Sequence, residues 1–130
     1  MKKLILTSIV IMAITLMVVA QEQQPRSYDI AKFLMEKMLD ETNGHIISEK
    51  AEDGSYYWFI QTPSHYSLSL IILDVNILVR TYNDVRYIRR WGGTTGGTHT
   101  ASLLLDDGFN SMIIFSFSER TNQLIVMAAS

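Results

Sequence analysis

The chain has 130 residues, 48% of them hydrophobic, with 11 basic and 13 acidic side chains and no cysteine. Its length indicates one domain, and the missing cysteines exclude disulfides, thiol catalysis and thiolate metal sites together. A net charge of −2 argues against a general nucleic-acid binder, since such proteins draw their affinity from neutralised phosphates.

The first residues, MKKLILTSIVIMAITLMVVAQEQQ, follow the order of a bacterial-type secretory signal. Lys2 and Lys3 precede an apolar run from Leu4 to Val19, and Val18 and Ala20 are small residues at the −3 and −1 positions of a cleavage site. A signal peptide over 1–20 would place the mature chain in the periplasm or outside the cell. Retained, the same run would anchor the chain in a membrane, being close to the lower limit of about 17 residues for a span. The leader takes away two lysines and no acid, leaving nine basic residues against thirteen acidic, a balance of −4. The charge is uneven. Nine acids lie between Glu22 and Asp74, whereas Arg80, Arg86, Arg89 and Arg90 crowd into eleven positions.

Residues 21–26 form a polar tether, and 27–130 a single domain. Ser27 is a suitable N-cap for YDIAKFLMEKMLDETNG, with Asp29 in the first turn. Ile30, Phe33, Leu34 and Met38 recur at helical spacing, and Asn43-Gly44 supplies a left-handed stop. Beyond Gly44 the chain reads as strands. His45–Lys50 ends in the turn residues Glu52-Asp53-Gly54. SYYWFIQT (55–62) is aromatic and β-branched and stops at Pro63. Tyr66, Leu68, Leu70 and Ile72 alternate with polar or opposite-facing residues, and the alternation then shifts to Val75, Ile77 and Val79. A bulge or a tight turn near Asp74 would allow that change of parity. Asn83-Asp84 marks a turn, and residues 84–91 are either a strand or a short helical turn. A two-residue hairpin there would set Val79 opposite Ile88 and Arg80 opposite Tyr87. Strands follow at Thr98–Leu105, Asn110–Ser118 and LIVMAA, with a turn at Asp106-Asp107-Gly108. The pattern predicts an α+β fold: one N-terminal amphipathic helix packed on an antiparallel sheet of about five to seven strands.

The stretch RRWGGTTGGTHT (89–100) has the composition closest to a chemical motif. It is not a P-loop, because it lacks the lysine and leads into a strand rather than a helix. Two readings remain: a mobile link between strands, or a loop whose backbone and neighbouring arginines bind an anion. In an extended strand Tyr87, Arg89 and Trp91 share one face, and the hairpin pairing adds Arg80. The candidate ligand-binding set is therefore Arg80, Tyr87, Arg89 and Trp91. His45, His65 and His99 have no local partner at metal-ligand spacing, so no metal site or cofactor is assigned. No catalytic residue is assigned either, since G-x-S-x-G is absent. Glu52-Asp53 and Asp106-Asp107 each precede a turn glycine. The aromatic run Tyr56-Tyr57-Trp58-Phe59 fills a core on one face and offers a possible partner surface on the other.

These features lead to an expected exported, non-enzymatic binding module for a protein or glycan partner. No nucleic-acid partner is expected, membrane contact is expected only through an uncleaved leader, and oligomers could form through sheet edges. The alternatives are a small exported hydrolase using His99 with nearby carboxylates, and a structural subunit docking through those edges.

Overall fold

The computed structural model describes residues 26–106 and 110–129. The expected leader, the tether residues before Arg26 and the turn through Asp107 and Gly108 lie outside the described residues. Eight elements occur in chain order: α1 (Arg26–Thr42), β1 (His45–Glu52), β2 (Ser55–Gln61), α2 (Ser67–Thr81), β3 (Val85–Gly92), β4 (Thr98–Leu105), β5 (Met112–Ser118) and β6 (Gln123–Ala129). The architecture is α+β, with two helices and a six-stranded sheet ordered β1-β2-β6-β5-β4-β3. Every neighbouring pair is antiparallel.

Helix α1 buries Ile30, Ala31, Leu34, Met35 and Met38 on one stripe. Ser27 lies inside its first turn rather than capping it, and its hydroxyl donates to the Ala129 carbonyl at 3.2 Å, tying the helix to β6. At the other end Asn43 takes φ 57°, the left-handed stop. Gly44 follows because a Cβ there would lie 2.9 Å from the Gln61 carbonyl oxygen. The β1–β2 turn is a two-residue Asp-Gly loop in which Asp53 (φ 52°) and Gly54 (φ 79°) are both left-handed. That geometry matches the twist of the strands it joins.

The structure corrects the reading of 66–82. These residues form no strand pair and no hairpin; Ser67–Thr81 is a second helix. Leu68, Ile71, Val75 and Leu78 are its buried residues at spacings of three and four, and Asp74 lies on that same side rather than at a bulge. Ser64 starts the turn that precedes the helix, accepting the Tyr66 N–H on Oγ and the Ser67 N–H on its carbonyl. The chain thus leaves β2, crosses the sheet through α2 and returns by the β3–β4–β5–β6 meander until β6 pairs with β2. The described helices include none long and apolar enough to cross a membrane.

Both helices lie on one face of the sheet, over Trp58, Ile60, Ala101, Leu103, Ile113, Phe115, Phe117, Leu124 and Val126, all at most 1% exposed. Burying one such aromatic or aliphatic side chain stabilises the fold by roughly 1.5–3 kcal/mol. The aromatic run divides by alternation. Trp58 joins Tyr28 and Tyr56 in the core-side ring cluster, whereas Tyr57 and Phe59 stack on the opposite face with centroids 6.4 Å apart.

Candidate functional site

The cleft between the last turns of α2 and the strand β3 takes two arginines, Arg80 and Arg90, of the sequence's densest basic segment. Its walls are Asn76, Val79 and Arg80 from the helix and Tyr87 and Arg90 from the strand, around a cavity of about 290 Å³. Arg80 lies one helical turn beyond Asn76, so both project toward the same strand edge. Tyr87 pairs with Leu103 in the sheet and donates its phenol hydrogen to Asn76 Oδ1 at 2.6 Å, bridging strand and helix. Arg90 lies over the Tyr87 ring, its guanidinium carbon 5.2 Å from the centroid, a contact worth roughly 0.5–1 kcal/mol at an exposed site.

Charge in this cleft is uncompensated. Several described carboxylates pair with other cations: Asp84 with Arg26, Asp106 with Arg86, Asp74 with Lys37 and Glu52 with Lys50. Among the described residues, none comes within 4 Å of Arg80 or Arg90. Burial raises the pKa of Tyr87 above its ordinary 10, while the Trp91 indole N–H and the Arg90 charge oppose the rise. The phenol is therefore a neutral donor at physiological pH.

Of the four residues singled out from sequence, Arg80 and Tyr87 line this cleft. Trp91 lies against Phe115, ring centroids 5.8 Å apart, with its indole nitrogen buried and without a well-formed hydrogen bond. Arg89 is not with them. The β3–β4 register shifts between Tyr87 and Arg89, so Ile88 is extra and Arg89 pairs with Ser102, on the face away from the helices. That one-residue bulge replaces Arg89 with Arg90 beside Tyr87. The sequence reading also missed Asn76 and Val79, which reach the cleft only because 67–81 is helical. The signal was present in Asn76 and Arg80, four positions apart.

The glycine segment joins β3 to β4, and its polar groups are used internally. A turn closes with the Gly97 N–H donating to the Thr94 carbonyl at 2.8 Å, and Gly96 takes φ 77°. Glu119 clamps this turn: its carboxylate accepts the Gly96 N–H, and its own N–H donates to the Gly97 carbonyl at 3.0 Å. His99 Nε2 lies 3.2 Å from Glu119 Oε1, within ion-pair range but off the line of a good hydrogen bond. The carboxylate nearest His99 is thus Glu119. Asp106 sits beyond the other end of β4, with Arg86. Neither His99 nor Glu119 lines the cleft, and no three potential metal ligands converge among the described residues.

No protein-family model matches the chain, and no curated protein or solved structure matches it.

Proposed function

We propose that the protein is an exported, non-enzymatic binding module whose α2–β3 cleft holds an anionic group of a protein or glycan partner. The secretory pattern of residues 1–20 supports export. The observation that carries the binding role is the pair of guanidiniums, Arg80 and Arg90, lining one cavity with no described carboxylate in reach. A guanidinium presents a planar fork of donors suited to carboxylate, sulfate or phosphate oxygens. Tyr87, fixed by Asn76, adds a flat ring on which a sugar or a partner side chain can pack.

Calorimetric titration with tri-galacturonate and with tri-glutamate tests this reading and separates the glycan from the protein partner. Binding of either that weakens with salt and disappears in the Arg80→Ala/Arg90→Ala variant supports the role. Absence of binding to both, or binding that survives the double substitution, overturns it.

A further inference from the structure

Among the described residues one charged side chain is buried, and it lies where α1 and α2 meet. Asp74 is 3% exposed, on the side of α2 that also buries Ile71, Val75 and Leu78. Its Oδ1 lies 3.5 Å from Nζ of Lys37 on α1. Lys37 also stands 3.9 Å from Oε1 of Glu41, one turn further along the same helix. One lysine thus faces two carboxyl groups. With both of them ionised, Oδ2 of Asp74 is buried and has no donor. A buried carboxylate oxygen left in that state is costly and uncommon.

Glu41 can supply the missing donor. Its side chain lies within hydrogen-bond reach of Asp74, and two carboxyls share a hydrogen bond only when one of them keeps its proton. That bond, followed by burial and the negative charge of Asp74, raises the pKa of Glu41 above its ordinary 4.5, while Lys37 opposes the rise. The surroundings offer no substitute. The strands beneath α1, β5 and β6, contain no ionisable residue. Among the described residues, no second lysine, arginine or histidine comes within 4 Å of either carboxyl.

We propose that Glu41 and Asp74 form a pH-sensitive latch between α1 and α2, fastened when the protonated Glu41 carboxyl donates to Asp74 Oδ2 and released when Glu41 ionises. Because the folded-state pKa of Glu41 is raised, the latch contributes fully below pH 4.5 and its contribution is lost as the pH rises through the raised value. Above that value two carboxylates, with one lysine between them, repel across the joint.

Carboxyl carbon-13 spectra of the purified protein test this, recorded from about pH 3 to about pH 8 to bracket the ordinary carboxylate range. Glu41 should titrate above 4.5, with the Asp74 resonance moving in the same step. Asp74→Asn should return Glu41 to the ordinary range or below it. In Glu41→Gln an amide N–H takes the place of the proton at every pH. That variant should melt a few degrees above the parent at about pH 7 and level with it at about pH 4. The latch is overturned by a Glu41 midpoint at or below 4.5, or by one that Asp74→Asn leaves unmoved. It is equally overturned if Glu41→Gln differs from the parent by the same amount at both pH values. Should Asp74→Asn fail to fold, the Glu41→Gln comparison decides alone.

Discussion

Two polar clusters border the glycine segment, and they put similar residues to opposite uses. At its head, Arg90 joins Arg80 around a cavity with no described carboxylate in reach. At its tail, His99 faces Glu119, whose two carboxylate oxygens and N–H are already engaged by the loop and the imidazole. A binding site and a structural brace differ in whether their charges are answered from within. A brace turns its polar groups on one another and gains rigidity. A binding site holds charge in place and leaves it unanswered. The glycines belong with the brace: a Cβ on Gly93 would lie 2.5 Å from the Thr98 carbonyl oxygen and 2.9 Å from the His99 Cα. Backbone closes on backbone there, and little room is left for an anion.

If this contrast holds, substitutions at the two clusters separate cleanly. The largest effect belongs to Arg80→Ala/Arg90→Ala. Loss of two charge-assisted contacts, about 1.5–3 kcal/mol each, should weaken binding of an acidic probe by about 100-fold or more. Thermal melting of the same variant should show a loss of stability of no more than about 1 kcal/mol, the worth of the Arg90–Tyr87 contact. Next comes Gly93→Ala, which should destabilise by about 2–3 kcal/mol in urea titrations by forcing backbone apart, while the folded fraction still binds. Were Gly93→Ala neutral for stability and damaging to binding, the brace would have to be counted as part of the site.

Tyr87→Phe should cost about 1 kcal/mol by removing the bond to Asn76. It also has a pH signature. Because burial holds the folded-state pKa of Tyr87 above 10, its contribution is complete below pH 10 and is lost as the pH rises through the raised value. The parent protein should therefore lose more melting temperature than Tyr87→Phe between pH 9 and pH 11, roughly the span around the ordinary tyrosine value. Tyr56, pushed up to about 12 by its hydrogen bond to Glu49, adds a second loss at higher pH that both proteins share. Glu119→Gln should cost about 1 kcal/mol by weakening the clamp on Gly96, with probe binding unchanged. Arg89→Ala should change neither binding nor stability measurably, since Arg89 lies across the sheet from the cleft.

Much of the architecture was legible in the sequence. The strands at 45–52, 55–61, 98–105, 112–118 and 123–129 follow from alternation and from turn residues such as Asp53-Gly54. What misled was α2. A helix apolar on both sides shows period two as readily as period 3.6, because Tyr66, Leu68, Leu70 and Ile72 are apolar whichever template is laid on them. The residues that hid its period, Leu70, Leu73 and Ile77, are those its own sheet leaves uncovered. Of the set singled out from sequence, Arg80 and Tyr87 line the cleft and Trp91 packs on Phe115, while Arg90 lies beside Tyr87 in the place expected of Arg89. No pattern within one strand reveals a bulge, because the extra residue is defined by the partner strand's register.

Under the proposed function Arg80 and Arg90, and not the glycine segment, receive the ligand. Nitrogen-15 spectra of the arginine Nε–H groups and the glycine amides, recorded while tri-galacturonate or tri-glutamate is added, test it directly. The Arg80 and Arg90 resonances should shift and saturate together while Arg89, Gly96 and Gly97 stay in place. Shifts concentrated at Gly96 and Gly97, or at Arg89, would place the ligand outside the α2–β3 cleft and refute the proposed role of Arg80 and Arg90.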